Sequence, residues 1–458
     1  MITDERGLTL TTTSAAAARA FDEVVVCYLE YRLRIGEAIK AMLAADAAFV
    51  MGRVLVGYLM MSRGTPEGAR DAAKALAAAE AAPGDHLSER ERMHLEALRQ
   101  WTSGHGEKAC RIWEEILVRW PRDLLALRFA HFQSFWLGTH RRMRNVVLRA
   151  LPAWDARVPR YGDVLGMAAF GHEELGDYAT AERLGREAAA LNPEDMWSIH
   201  AVAHVLEMQG RHDEGLAWLG FPADRWADRA AMRTHIWWHK ALFHFERGEL
   251  DAVLDLYDSL VDPGADMFYI DMQNCASLLA RVELVGGDVG GRWASLAARA
   301  AGWVDNHLMA FTDVHTIMPL AHERRPEACR HLASLAAFAQ TDDDNARRVR
   351  DHVLPVCTAV DAFYAGDYGR TIDLLFPRKD DLVTIGGTHA QRDVFHLMLL
   401  EAALRAGRFD LARTLAGERV SLRAHSHGSW LKYAEALDGL EDPGAGAARR
   451  HAALTRAA

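Results

Sequence analysis

Along most of this chain apolar residues return every three or four positions, as in RMHLEALRQW and HKALFHFERG, and strict apolar/polar alternation is nearly absent. That period predicts one helix after another. The helical runs are punctuated by glycine at Gly64, Gly104, Gly138, Gly176, Gly210, Gly248, Gly287, Gly366 and Gly407, with a glycine-free turn near Arg325. Successive turns lie 34 to 41 residues apart, a regularity that points to an internal repeat. In ELGDYATAERLGREAAALNP, Gly176 makes the turn, Ala181 and Ala188 allow close helix crossing, and Pro193 opens the next unit. TSGHGEKACRIWEEILVRWP repeats the scheme with Gly104, Ala109 and Pro121.

This is the spacing of tetratricopeptide (TPR) repeats. The expected fold class is all-α, a TPR-like α-solenoid of about ten antiparallel helix pairs in a right-handed superhelix, closed or nearly closed around a central pocket. Residues 1–44 are expected to form a helical cap, 45–440 a continuous solenoid, and 441–458 a tail whose start is frayed. Pro319 and Pro355 fall within helical stretches and are expected to kink or shorten them. The segment PRKDDLVTIGGTHAQRD reads as a non-helical insertion over 376–390, with the chain's only strand content near Val383–Gly387. Long ordered loops often cover sites, so this one is expected to fold inward and bring His389 or Arg392 to the pocket.

Composition narrows the function. The 458 residues are 50% hydrophobic and 25% charged, with a net charge of −10 and no basic run, so nucleic acid is not an expected partner. Apolar stretches are broken every few residues by charge, which excludes a membrane-spanning helix, and the N-terminus lacks the layout of a signal peptide. Five scattered cysteines without CxxC spacing suit reduced thiols in the cytoplasm. Histidine, at 22 residues, is abundant.

In WSIHAVAHVLEMQG, His200 and His204 stand one helical turn apart and leave one face. Counting back from each turn glycine assigns the inner wall. It gives Trp197, His200, His204 and Glu207, then His235 and Trp238 with His239 beside them. It adds Asp163 and Glu173 upstream, and Asp271, Asn274, Ser277 and Arg281 downstream. His307, Phe311 and His315, four apart with Asp313 alongside, continue the series on the next helix. The pattern points to a polar pocket. His200, His204 and His235 are candidate ligands of a divalent metal, zinc or iron; HAVAH lacks the glutamate of HExxH, so a metalloprotease is excluded. Glu173 and Asp271 are candidate acid/base partners for the histidines, and Arg281 a holder of anionic substrate. A hydrogen-bonded core would also place histidines at this spacing. No phosphate-binding loop or nucleophile elbow occurs; GGDVGG ends a helix and is a turn.

The phrases RDLLALRFAHF, YGDVLGMAAFGHEELGDYATAE, HAVAHVLEMQGR, HIWWHKALFH, GGDVGGRW, TDVH and THAQRDVF make the chain similar to the tetratricopeptide repeat protein 38 family. The resemblance implies a soluble helical-repeat protein of undefined activity, with a Trp- and His-rich helix pair at Trp197–His204 and His235–His244. Ala280 stands where that family usually has a bulky aromatic, which implies a roomier pocket. The expected function is binding of a small molecule in a histidine-rich pocket, with catalysis by acid/base or metal-assisted chemistry. The rival is an adaptor that holds a peptide in the groove, and self-association into a homo-oligomer is left open.

Overall fold

The computed structural model of the chain describes residues 2–82 and 87–457. Twenty-five α-helices follow one another among these residues, an all-α architecture of stacked helix pairs of the TPR type. The expected ribbon near Val383 is not there. The strands are instead Ile2–Thr3 and Thr9–Leu10, paired antiparallel, and Phe376–Ile385 is wound as a 3-10 helix. The helix Tyr368–Leu375 runs directly into that segment, and Pro377 fixes a helical φ there, so helix rather than loop follows.

The turns are where the period placed them, with a shift of one residue at two. Gly64, Gly104, Gly138, Gly176, Gly210, Gly248, Gly366 and Gly407 all have φ between +61° and +83°. In the seventh turn Gly286 (φ +85°), not Gly287, takes the left-handed conformation, and in the glycine-free turn Arg324 (φ +51°) does so instead of Arg325. A side chain there costs roughly 1–2 kcal/mol, and the Arg324 guanidinium offsets it by donating to the Tyr364 carbonyl.

By packing, the chain forms two compact units. The first comprises Met1–Val202, Trp226–Arg233 and Thr341–Arg347; the second comprises Ala203–Arg225, Thr234–Gln340 and Arg348–Ala458. In the first, a continuous apolar core runs from Leu10 to Ala201 and centres on Tyr58, Trp101, Trp113 and Phe129. The buried hydroxyl of Tyr58 accepts from Trp113 Nε1 at 2.8 Å and donates to the His94 carbonyl at 2.8 Å. Asp123 caps its helix by accepting the Ala126 N–H, while its other oxygen meets Arg90 at 2.6 Å and His94 at 2.9 Å.

In the second unit the two prolines behave differently. Pro319 lies inside the helix Ala310–His322, which continues past it. Pro355 follows a π-helical turn, Val349–Val353, that lengthens the loop of backbone ahead of it. The Asp351 carbonyl, which Pro355 cannot satisfy, has the Nε of Arg378 3.5 Å away. After the 3-10 segment, Gly386 and Gly387 turn the chain at φ +91° and +74° into the helix His389–Arg405. A Cβ on Gly387 would lie 2.4 Å from the Phe311 ring.

Two outcomes are expected. Gly387→Ala adds a ring clash to left-handed strain and should cost about 3 kcal/mol or more, whereas Gly366→Ala, with nothing within 4 Å of its Cβ position, should cost only about 1 kcal/mol. Denaturant midpoints of the two variants check this. In the first unit, burial, then the charge of Asp163, raises the Asp195 carboxyl to about 7. An unfolded carboxyl titrates near 4, so the folded chain binds more protons between pH 4 and 7. The contribution of this one group to stability should therefore fall as pH rises through that window and level off above it, read in thermal melts as a pH-dependent difference between the wild-type chain and Asp195→Asn.

Candidate functional site

Three helices of the second unit bring the predicted polar residues together. The half of Met196–Met208 that belongs to it carries His204 and Glu207, Met232–Glu246 carries His235, Trp238 and His239, and Tyr269–Leu284 carries Asn274, Ser277 and Arg281. These helices are buried nearly all round, so any polar residue on them must be satisfied inside the fold.

The histidines meet at short range. The rings of His204 and His239 are 4.3 Å apart and those of His235 and His239 4.8 Å apart, each pair edge to face. One ring nitrogen from each of His204, His235 and His239 lies within 4.8 Å of the others. All three are buried, at 0–2% exposure, rather than open to a groove as the inner-wall reading implied. His235 Nδ1 bonds Asn274 Oδ1 at 2.8 Å, and the His235 ring stacks on Trp238 at 5.1 Å. His239 Nδ1 meets Glu207 Oε2 at 3.1 Å. With Nδ1–H donating to those oxygens, Nε2 of both rings carries the lone pair. The Nδ2 of Asn274 is buried with no hydrogen-bond partner among the described residues, which leaves an amide donor for a ligand's acceptor atom.

Burial sets the protonation states. It pushes His235 down to about 4 and, together with the charges of His235, Arg281 and His389, holds His239 well below the usual histidine range. Burial raises Glu207, against the pull of Arg423 and Arg281. At neutral pH the imidazoles of His235 and His239 are uncharged, the form that ligates metals and accepts protons. Glu207 also lines an open cavity of about 450 Å³ together with Arg211, His212, Glu246, Arg423 and His425. It therefore joins the histidine cluster to solvent.

The insertion does reach this region. The His389 ring stands 6.0 Å from that of His204, and Arg392 donates to the carbonyls of Gly386 and Gly387, which fastens the turn. Arg281 is not poised for a substrate anion. Its guanidinium donates to the carbonyls of Ser277 (3.1 Å) and Ala390 (2.6 Å) over the face of Trp238, tying the helix His389–Arg405 to its own. Asp271 is likewise committed, accepting the Phe268 N–H at its helix start and the Thr234 hydroxyl. His307 lies ahead of the helix Ala310–His322 instead of on it and pairs with Asp313 at 2.9 Å, while His315 donates to the Phe311 carbonyl at 2.8 Å.

Four sequence-predicted residues, Asp163, Glu173, Trp197 and His200, fall in the first unit. Glu173 is fully buried, and the rings of Trp197 and Phe170 each lie 5.4 Å or less from His200, one turn before His204 on the same helix. Ala280 lines a cavity of about 360 Å³ with Glu283, His322, Phe363, Tyr364 and Arg405, away from the histidines. Sequence reasoning passed over Asp393, which Arg419 grips through both oxygens at 2.6 and 3.1 Å; a buried Asp one position after Arg392 was the available signal.

No protein-family model matches the chain. Among solved structures it is similar to a human IFIT1 dimer with PPP-AAAA, at 13% identity over 98% of this chain and 96% of that one, with a TM-score of 0.38. The same protein with m7Gppp-AAAA gives 12%, 97%, 95% and 0.36. Naa15/Naa10 bound to HypK-THB gives 12% identity over 96% of this chain and 67% of that one, at 0.25. Scores this low leave the fold class resting on the chain's own helix pairs. No described helix is long and apolar enough to cross a membrane.

Acid should expose the buried imidazoles. Unfolded histidine protonates near 6.5 and folded His235 near 4, so the unfolded chain binds more protons across that interval. The contribution of this residue to stability should fall as pH drops from 6.5 towards 4, by on the order of 3 kcal/mol. His235→Gln should make the fall shallower in urea melts taken at each pH.

Proposed function

We propose that this is a TPR-type protein of the tetratricopeptide repeat protein 38 kind, working in the cytoplasm on a small molecule at a divalent-metal site formed by His204, His235 and His239. The observation that carries the reading is the convergence of three buried imidazoles, two with Nδ1 held by Asn274 or Glu207. A carboxylate or amide behind a histidine fixes its tautomer and strengthens it as a ligand. Zinc–nitrogen bonds of 2.0–2.1 Å put tetrahedral ligands about 3.4 Å apart, so the rings need to close by roughly 1 Å on the ion. Three histidines leave a fourth position for water or substrate, and Glu207, between His239 and the open cavity, holds the ligand's tautomer from behind the ring. The peptide-adaptor reading draws no support here, because Arg281 and Arg392 spend their donors on backbone carbonyls.

Chelator-treated protein titrated with zinc chloride in a calorimeter tests this. One equivalent should bind, with affinity falling as pH drops towards about 4, where the His235 imidazole takes up a proton. Glu207→Gln should weaken binding 10–100-fold, and joint replacement of His204 and His239 by Ala should remove it. Unchanged zinc affinity in the double variant would refute the reading.

A further inference from the structure

A second group of side chains in the same unit carries different chemistry. Asp313, on the helix Ala310–His322, accepts from Nδ1 of His307 at 2.9 Å, and Nε2 of His307 lies 2.8 Å from the hydroxyl of Ser334 on the helix Pro326–Phe338. Asp313 is 1% exposed and His307 7%, whereas Ser334 is only half-buried. Carboxylate, imidazole and hydroxyl are thus linked in the order and at the distances of a nucleophilic triad, with the hydroxyl at the accessible end.

We propose that Ser334 is an activated nucleophile, with His307 its general base and Asp313 the group that orients and charge-balances the imidazole, acting on small activated carboxylic esters. The surroundings support these roles. Asp313 Oδ2 is buried with no hydrogen-bond partner among the described residues, and His331 Nε2 lies 3.6 Å from Oδ1. The carboxylate charge is therefore balanced by imidazoles alone, and an imidazolium formed at His307 is stabilised by it. His331 also bonds the carbonyls of Val304 (3.1 Å) and Asp313 (3.2 Å), which pins the connection that carries His307. The ring of Phe338, 5.4 Å from His307, gives an apolar wall beside the nucleophile.

The site differs from a hydrolase elbow in two respects that set its substrate class. Ser334 sits in mid-helix, where backbone N–H groups are already bonded, so no pair of amides faces an oxyanion. Arg330, one turn earlier on the same helix, has its Nη2 3.7 Å from Asp305 Oδ2. Esters with good leaving groups need the least oxyanion stabilisation and are the expected substrates; amides are not. Second, Ser334 Oγ has another acceptor, Asp305 Oδ1 at 2.9 Å, which competes with His307 for the hydroxyl proton.

In the step, the Oγ–acyl bond forms as the Oγ proton passes to His307 Nε2. The bond to the leaving oxygen then breaks, and that oxygen takes the proton from His307. Water repeats the sequence on the acyl-serine and releases the carboxylic acid. A fluorophosphonate reports on the first half alone, since Oγ attacks phosphorus, fluoride leaves and the adduct persists.

The test treats the full chain with a fluorophore-bearing alkyl fluorophosphonate, maps the adduct by mass spectrometry and follows p-nitrophenyl acetate hydrolysis in parallel. The adduct should fall on Ser334. Ser334→Ala should abolish labelling, and Asp313→Asn should slow it at least tenfold by favouring the wrong imidazole tautomer. Asp305→Asn, which leaves His307 as the stronger acceptor for the hydroxyl proton, should speed labelling severalfold, a gain that a merely structural hydrogen bond would not give. No adduct, an adduct on another residue, or an unchanged or slower rate in Asp305→Asn would each overturn the proposal.

Discussion

Equivalent positions on successive first helices touch, and the sites depend on this contact. In the second unit the polar bonds between these helices recur at nearly one separation. His235 reaches Asn274, Trp238 reaches Ser277, Gln273 reaches Thr312 and His322 reaches Glu283, each across 39 residues. The first unit does the same at 36 residues, from Tyr58 to His94 and from His131 to the Met167 carbonyl. Each helix thus offers its inward polar groups to the same rung of the next. The left-handed turn residues hold that register, because a slip of one residue would rotate every rung by about 100°.

Buried rungs must balance charge as well as hydrogen bonds. An isolated charge is too costly to keep inside, so the interior either pairs its ions or keeps its groups neutral. Asp393 is the paired case: burial would raise it, but Arg419 and Arg423 hold it ionised. The buried histidines are the neutral case, with burial displacing protons from His235 and His239 in the cluster and, at about 3, from His315 outside it. Neutral imidazoles are cheap to bury and remain able to bind a proton or a cation. One environment therefore satisfies both stability and chemistry, and the cluster need not be strained to be reactive.

The sequence disclosed what repeats and obscured what does not. Helical period and turn glycines located the helix pairs, and counting back from Gly210 and Gly248 placed His204, Glu207, His235 and Trp238 on facing rungs. The same count misjudged their exposure, because periodicity locates a face but not what covers it. It also assigned Arg281 and Asp271 to a ligand, when one satisfies carbonyls and the other caps a helix. A charged side chain on a buried face has backbone to serve first, and that demand leaves no mark in the spacing. The shift from Gly287 to Gly286 has a similar origin: two adjacent glycines can both turn, and only packing chooses between them.

The link between His307, Asp313 and Ser334 shows where such reading ends. His307 and His315 are eight residues apart, which suggests one helix face, yet the helix begins at Ala310 and His307 stands outside it. Freed from the helix, its ring turns towards the second helix of the pair, where Ser334 occupies a position that the count along first helices never visits. Contacts between first helices follow the repeat and can be counted. Contacts made through a connecting segment follow the length and path of that segment, which vary from repeat to repeat. In a helical-repeat protein the chemistry that departs from the repeat is therefore carried by its connections, and it is those segments whose geometry must be seen before their side chains can be assigned a role.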